Sequence, residues 1–209
     1  MRFYSRLGKR LFDLVLSFSL IIILLPILLL ISIIVLFIDG WPIIFRQKRL
    51  GKNGREFIMI KFRTMNNNFK GNNKSDQDRI TKLGKIMRKI SMDELPTLFN
   101  VVMGSMSLVG PRPLLISYLK RFNNFQLKRL EVLPGITGLA QIKGRNSLSW
   151  GKKFKYDIYY VDNHNMCLDL IILIKTVFFV LRLKGITPDN QEIMPEFIGT
   201  EKNGSSKED

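Results

Sequence analysis

Cysteine and histidine are almost missing from this chain of 209 residues: Cys167 and His164 stand alone. A single cysteine excludes an intramolecular disulfide and any cluster of cysteine ligands. A single histidine excludes a His-rich metal site and a second histidine acting as base. Flanked by Asn163 and Asn165, it reads as a surface or loop residue. Acids are scarce too, 17 against 33 lysines and arginines, which leaves a net charge of +16. An excess of that size calls for an anionic partner: nucleic acid, phospholipid headgroups or a phosphorylated substrate. Chemistry here must rest on carboxylates, basic groups or a recruited metal. The length suits one domain with a sizeable core plus an appendage, and no internal repeat is visible.

What the chain has in abundance is a long apolar run near its start. From Leu14 to Ile38, 25 residues carry no charge, and only Ser17, Ser19 and Ser32 are polar apart from Pro26. As a helix that run is about 37 Å long, enough to reach across a bilayer core. It is too long for a cleaved signal peptide, and no small-residue cleavage site follows, so it reads as a retained membrane anchor. Both flanks are basic: Arg2, Arg6, Lys9 and Arg10 before it, Arg46, Lys48, Arg49, Lys52 and Arg55 after it. Orientation by flanking charge therefore fails for a simple span. A segment that enters and leaves one face satisfies both flanks, and Pro26 near its middle removes a backbone hydrogen bond and bends a helix. Spanning helices tolerate proline as well, so composition leaves both topologies open.

Beyond Trp41 the pattern becomes globular. Residues 57–62, "FIMIKF", form a short β-prone run after the turn "RLGKNGREF". Residues 66–78 read as a polar loop. "RITKLGKIMRKI" places Ile80, Leu83, Ile86 (or Met87) and Ile90 at helical spacing amid Arg79, Lys82, Lys85, Arg88 and Lys89. Such a basic amphipathic helix suits a solvated face or anionic headgroups. Residues 168–185 are again strongly apolar, but Asp169, Lys175 and Arg182 interrupt them. They read as a helix in the interface or closing the core rather than a span. The end of the chain is polar and reads as a loose tail.

"SMDELPTLFNVV", residues 91–102, sets two acids at the head of a helix marked by Leu95, Leu98, Phe99 and Val102. Ser91 with Glu94 has capping-box spacing, and Asp93 as cap would put Pro96 in the first turn. Capping alone accounts for such a pair. Its surroundings suggest more, because basic residues recur beside turn residues: Lys61 and Arg63, Arg79 and Arg88, Arg112, Lys143 and Arg145. Two carboxylates among several arginines suit phosphoryl transfer from a nucleotide, one acting as nucleophile and one holding Mg²⁺. A nucleic-acid binder needs neither the acids nor the anchor.

The blocks "KRLFD", "FRQKRLGKNGREFIMIKFRTM", "RITKLGKIMRKISMDELPTLFNVVMGSMSLVGPRPLL", "LPGITGLAQIKGRNSLSWGKKFKYDIYYVDN" and "LDLIILIKT" resemble the bacterial sugar transferases, and more narrowly the small monotopic phosphoglycosyl transferases. The resemblance runs from about residue 8 to 185. It implies a membrane enzyme that moves a sugar 1-phosphate from a UDP-sugar donor to undecaprenyl phosphate and releases UMP. In that family an Asp-Glu dyad is catalytic, and here it falls on Asp93 and Glu94. Asp93 would attack the β-phosphorus to form an aspartyl-phosphosugar intermediate, and Glu94 would ligate Mg²⁺. Lys61, Arg88, Arg112 and Arg145 match basic positions near the phosphates. The family's membrane helix is re-entrant, with a proline kink often preceded by serine; Leu25 stands there instead. The stretch from Gly144 to Asn163 is closest to members acting on diacetylated bacillosamine or related amino sugars.

The expected fold is α+β, mainly α. Residues 1–38 hold the basic N-terminus and the membrane helix, 39–185 an interfacial catalytic domain with amphipathic helices and a few short strands, and 186–209 a tail. The expected place is the bacterial cytoplasmic membrane, with the catalytic domain on the cytoplasmic face and no nucleic-acid partner. A membrane-anchored basic adaptor and a phosphohydrolase of lipid-linked phosphates are the rival readings.

Overall fold

The computed structural model describes residues 7–66, 79–144, 147–181 and 196–199. Helix α1, Lys9–Asp39, contains the apolar run and stays α-helical on both sides of Pro26. Strands β1, Ile44–Leu50, and β2, Glu56–Phe62, then form an antiparallel hairpin that pairs Ile44 with Phe62 and Leu50 with Glu56. Asn53 and Gly54 turn it with φ of 56° and 73°, a left-handed backbone that asparagine and glycine tolerate. Two short helices follow, α2, Lys82–Lys89, and α3, Thr97–Val102. Strand β3, Ser107–Val109, pairs in parallel with β4, Gly135–Thr137, and the connection between them includes α4, Asn124–Leu127. Helices α5, Leu139–Lys143, α6, Trp150–Asn163, and α7, Met166–Leu181, complete the described elements. The chain is thus mainly α with few short strands, as expected.

Helix α1 is tied to the globular body near both ends. Near its start Lys9 meets Asp169 of α7 at 2.5 Å, and Asp13, buried, accepts from Ser107 Oγ at 2.7 Å and Leu108 N at 3.2 Å. Arg10 donates to the carbonyls of Val101 and Val102, satisfying the last turn of α3 where a cation is favoured. Toward its end Leu28, Ile31 and Val35 pack with Phe62 and Met87. Arg63, itself buried, donates to the carbonyls of Asp39, Gly40 and Trp41, which a helix end leaves without internal partners. The arginine grouped by sequence with the phosphate binders therefore closes a helix.

The outer face of α1 stays uncovered, exposing Leu11, Val15, Phe18, Ile22 and Leu29 among others. Helix α7 is two-sided: Ile172 is in the core, whereas Ile171, Ile174, Val177 and Phe178 are exposed. Contiguous apolar surface of this kind marks contact with lipid or another apolar partner. The end of the 168–185 segment lies outside the described residues. In α2 the alternatives resolve: Met87 is buried and Ile86 exposed. The tail is not wholly loose, because Phe197 is buried among Tyr118, Phe122, Trp150 and Phe154.

Candidate active site

The dyad is positioned by the way α3 docks on β2. Asn100, fully buried, accepts from Ile60 N at 3.0 Å and donates to Ile58 O at 2.8 Å, while Thr97 Oγ1 donates to Ile60 O at 3.1 Å. These side chains replace a neighbouring strand and satisfy the free edge of β2. They fix the start of α3 opposite Lys61, next to last in that strand. Helix α2 is brought in by Gly84, where a Cβ would stand 2.2 Å from Thr64 O. Thr81 caps this helix, accepting from Gly84 N at 2.9 Å. One turn after Gly84, Arg88 Nε donates to Thr64 Oγ1 at 2.9 Å.

The capping box read from Ser91 and Glu94 is not formed, and Asp93 is not the cap. Ser91 adopts φ 57° and ψ 21°, and a 3₁₀ turn, Met92–Glu94, precedes α3, whose N-cap is Pro96. A left-handed serine is costly by about 1–2 kcal/mol, a strain typical of functional turns. The two acids that follow it have different partners. Glu94 Oε1 accepts from Lys61 Nζ at 3.0 Å and Arg112 Nη2 at 2.6 Å, and Oε2 from Arg112 Nη1 at 3.4 Å. Asp93 is 7% exposed and, among the described residues, accepts no hydrogen bond.

Electrostatics separate the pair. Burial, and then the charge of Glu94, push the Asp93 carboxyl above the usual carboxylate range against Lys61, Arg88 and Arg112. Burial alone would raise Glu94 as well, but Arg112 and Lys61 outweigh it and hold Glu94 well below that range. Two adjacent carboxylates thus have two characters: one is charge-neutralised and locked, the other desolvated and unengaged. The structure brings Asp93, Glu94, Lys61, Arg88 and Arg112 together. Arg145 lies outside the described residues.

Arg112 comes from the Pro111–Pro113 turn after β3. Its carbonyl accepts from Arg129 Nη2 at 2.6 Å, and Arg129 holds Asp157 of α6 at 2.8 Å. Sequence reasoning missed this buried pair, and it also missed Arg49 and Lys153, whose charges bear on Arg112. Only pairing β1 with β2 would have carried Arg49 toward the site. Among the described residues no group of three His, Cys, Asp or Glu side chains is suited to a metal. Two carboxylates do suit Mg²⁺, which takes one or two from a protein and completes its shell with phosphate oxygens and water.

A family model described as bacterial sugar transferase matches residues 4–183. The chain is 47% identical over 194 residues to an uncharacterized sugar transferase, EpsL, of Bacillus subtilis (strain 168), covering 92% of this chain and 96% of that one. It is 38% identical over 200 residues to an undecaprenyl-phosphate galactose phosphotransferase of Salmonella typhimurium, covering 87% of this chain and 42% of that one. It is 40% identical over 182 residues to a UDP-glucose:undecaprenyl-phosphate glucose-1-phosphate transferase of Klebsiella pneumoniae, covering 81% and 39%.

Proposed function

The chain belongs to the bacterial sugar transferase family, and from that premise we propose that it transfers a sugar 1-phosphate from a UDP-sugar to undecaprenyl phosphate, with Asp93 as nucleophile. The observation that carries this reading is the division within the dyad: Glu94 holds two cations, and Asp93 is buried beside them with no hydrogen bond among the described residues. A desolvated carboxylate of raised basicity, facing a wall of cations, is suited to attack phosphorus.

In the first step Asp93 Oδ forms a bond to the β-phosphorus, and the bond to the bridging oxygen breaks. UMP leaves with that electron pair, and the sugar phosphate stays on Asp93 as an acyl phosphate. In the second step an oxygen of the lipid phosphate attacks the same phosphorus and displaces the Asp93 carboxylate, giving a lipid-linked diphosphate sugar. Lys61, Arg88 and Arg112 orient the phosphate oxygens and offset the charge that builds on them. Glu94, through Oε2, would help hold Mg²⁺, which neutralises phosphate charge when bound.

The reading places α1 and α7 in one membrane face, the cytoplasmic one, where a soluble nucleotide and a lipid phosphate meet. Attachment of α1 near both ends to one body supports entry and exit on one side. A single cysteine at Leu7, in a Cys167→Ser background, is then expected to resist an impermeant maleimide in intact cells; outside labelling would establish a span. For the donor, the relatives' names point to galactose and glucose, and the segment from Gly144 to Asn163 to diacetylated amino sugars. The deciding experiment is UMP release by detergent-purified protein across UDP-galactose, UDP-glucose and UDP-diacetylbacillosamine, with and without undecaprenyl phosphate. Sustained UMP release that requires the lipid, with one UMP released for each phosphosugar adduct formed when the lipid is withheld, is expected. Sustained turnover without lipid would mean hydrolysis, and no UMP from any donor would leave a binding protein.

A further inference from the structure

Arg112 reaches Glu94 although its side chain is 46% exposed. An arginine so open to solvent has many rotamers to choose from, so its aim depends on how firmly its backbone is held. Pro111 and Pro113 flank it. Each fixes its own φ, and Pro113 confines Arg112 to extended backbone, but neither has an N–H with which to anchor the turn. The turn is anchored through its carbonyls instead: Pro111 O accepts from Gly135 N of β4 at 3.0 Å, and Arg112 O accepts from Arg129 Nη2 at 2.6 Å.

Arg129 lies buried in the 3₁₀ turn Lys128–Glu131 after α4. Its Nε and Nη2 donate to Asp157 Oδ2 of α6 at 3.1 and 2.8 Å, so Nη2 serves Asp157 and the Arg112 carbonyl at once. A planar guanidinium presents such a fork, and an ammonium does not. The rings of Phe122 and Phe154 stand 5.9 and 5.7 Å from its Cζ, close enough for cation–π attraction, and Phe197 packs on both rings. A buried Arg–Asp pair is weak evidence of stability, since apolar residues of similar volume often serve as well. What they cannot supply is a donor to the Arg112 carbonyl.

We propose that Arg129 is a positioning residue for the transfer: anchored on Asp157, it holds the Arg112 backbone so that the Arg112 guanidinium meets Glu94 and is aimed at the donor's phosphates. The role rests on the transfer reaction proposed above, in which Arg112 orients phosphate oxygens beside Asp93. Among the described residues Arg129 donates to Asp157 and to Arg112, and to neither acid of the dyad, so it acts through Arg112 alone. Without it the Arg112 side chain is still present but takes a wider range of directions. The loss then falls on the rate at which Asp93 is phosphorylated, because an oriented phosphate is what the first step requires.

The test is a double-mutant cycle read on adduct formation with undecaprenyl phosphate withheld, using whichever of UDP-galactose, UDP-glucose and UDP-diacetylbacillosamine the parent accepts. Arg129→Lys keeps a charge beside Asp157 without the fork. Arg129→Met combined with Asp157→Leu removes the buried pair and strands no charge. Both are compared with the parent and again in an Arg112→Met background, with melting temperatures recorded alongside. Adduct formation is expected to slow at least tenfold in the apolar double variant and at least threefold in Arg129→Lys, with melting temperatures within about 5 °C of the parent. In the Arg112→Met background each change should slow it by less than a further twofold. UDP affinity, which needs no turnover, supplies the same comparison where Arg112→Met is too slow to time. Arg129→Lys carries the cycle if the apolar double variant does not fold. A folded double variant within twofold of the parent's rate overturns the proposal, and so does an equal fold-loss in both backgrounds, which would mark a structural role. A parent that forms neither adduct nor UMP from any donor would instead overturn the transfer reaction itself.

Discussion

Two clusters of charge are buried in this protein, and they are built on opposite plans. Where α1 meets α7 and β3, every ionic group has its complement: Lys9 meets Asp169, Asp169 also accepts from Tyr160 Oη at 2.7 Å, and Asp13 takes Ser107 and the Leu108 amide. Around the dyad the complement is incomplete. Asp93 accepts no hydrogen bond among the described residues, and Arg49 Nε is buried without a partner. Both clusters pay desolvation. The first offsets part of it with an ion pair and hydrogen bonds inside the fold, although burial still holds Asp13 above the usual carboxylate range, and the second leaves more of it open. The difference teaches which cluster holds the chain together and which is completed by something the chain binds. If that contrast is real, mutations should affect stability at the first cluster and chemistry at the second.

Asp93→Asn should give the largest effect. An amide is a poor nucleophile toward phosphorus, so transfer is expected to fall by a factor on the order of 10³ or more. The fold should gain, because the raised folded-state pKa of Asp93 means that its ionised form disfavours folding above that pKa. Asparagine removes that opposition, and a melting temperature up by a few degrees in detergent is expected. The same shift fixes the acid limb of the parent: adduct formation should fail, as pH drops, at a higher pH than an ordinary carboxylate would give. A mutant that keeps a few per cent of activity would remove Asp93 from the nucleophile's role.

Asp169→Ala should do the reverse. Asp169 is fully buried and serves both Lys9 and Tyr160, so its removal takes the ion-pair partner from a half-buried ammonium and one of two acceptors from a buried hydroxyl. A cost of about 3–5 kcal/mol is expected, lowering the melting temperature by roughly 10 °C, with activity per folded molecule near that of the parent. Full activity loss without destabilisation would erase the contrast. Glu94→Gln lies between the two. It should slow transfer about 10–100-fold and move the Mg²⁺ titration to higher concentration, since a hard anionic oxygen is lost. UMP binding without metal should not weaken, because Arg112 and Lys61 are released to phosphate. A Mg²⁺ titration that overlays the parent's would take Glu94 out of the metal site.

The two clusters were also unequally legible. The apolar run gave α1 its place because nothing else accounts for 25 uncharged residues, and "FIMIKF" marked β2. The dyad stood out by residue type and by resemblance. What sequence could not give was which cation does what. Arg63 and Lys61 are two positions apart, yet one closes α1 and the other meets Glu94, a choice made by the path of the chain after β2. Strand β1 was hidden because "IFRQKRL" looks like a basic membrane flank, and with it went Arg49. Ser91 misled for a local reason: its capping-box spacing presumes a helix that starts at once, whereas a left-handed residue and a 3₁₀ turn intervene.

That left-handed serine supplies the smallest expected effect. Ser91 holds φ 57° immediately before the dyad, and glycine adopts that geometry without the penalty a Cβ imposes. In Ser91→Gly the relief in the folded state is opposed by the greater freedom glycine gives the unfolded chain, so net stability should change by less than about 1 kcal/mol. Chemistry should be more sensitive than stability. The turn Met92–Glu94 carries both acids, and glycine at its entry widens the range of conformations open to it. Displacing a nucleophile by even a fraction of an ångström matters when reacting atoms must lie about 3–3.5 Å apart. The expectation is adduct formation slowed several-fold, UMP affinity unchanged and melting temperature within about 2 °C of the parent. Ser91→Ala, which keeps the Cβ and removes only the hydroxyl, should retain more of the rate than glycine does. If alanine loses as much of the rate as glycine, it is the serine's hydroxyl, and not the constraint its Cβ places on the turn, that matters to the chemistry.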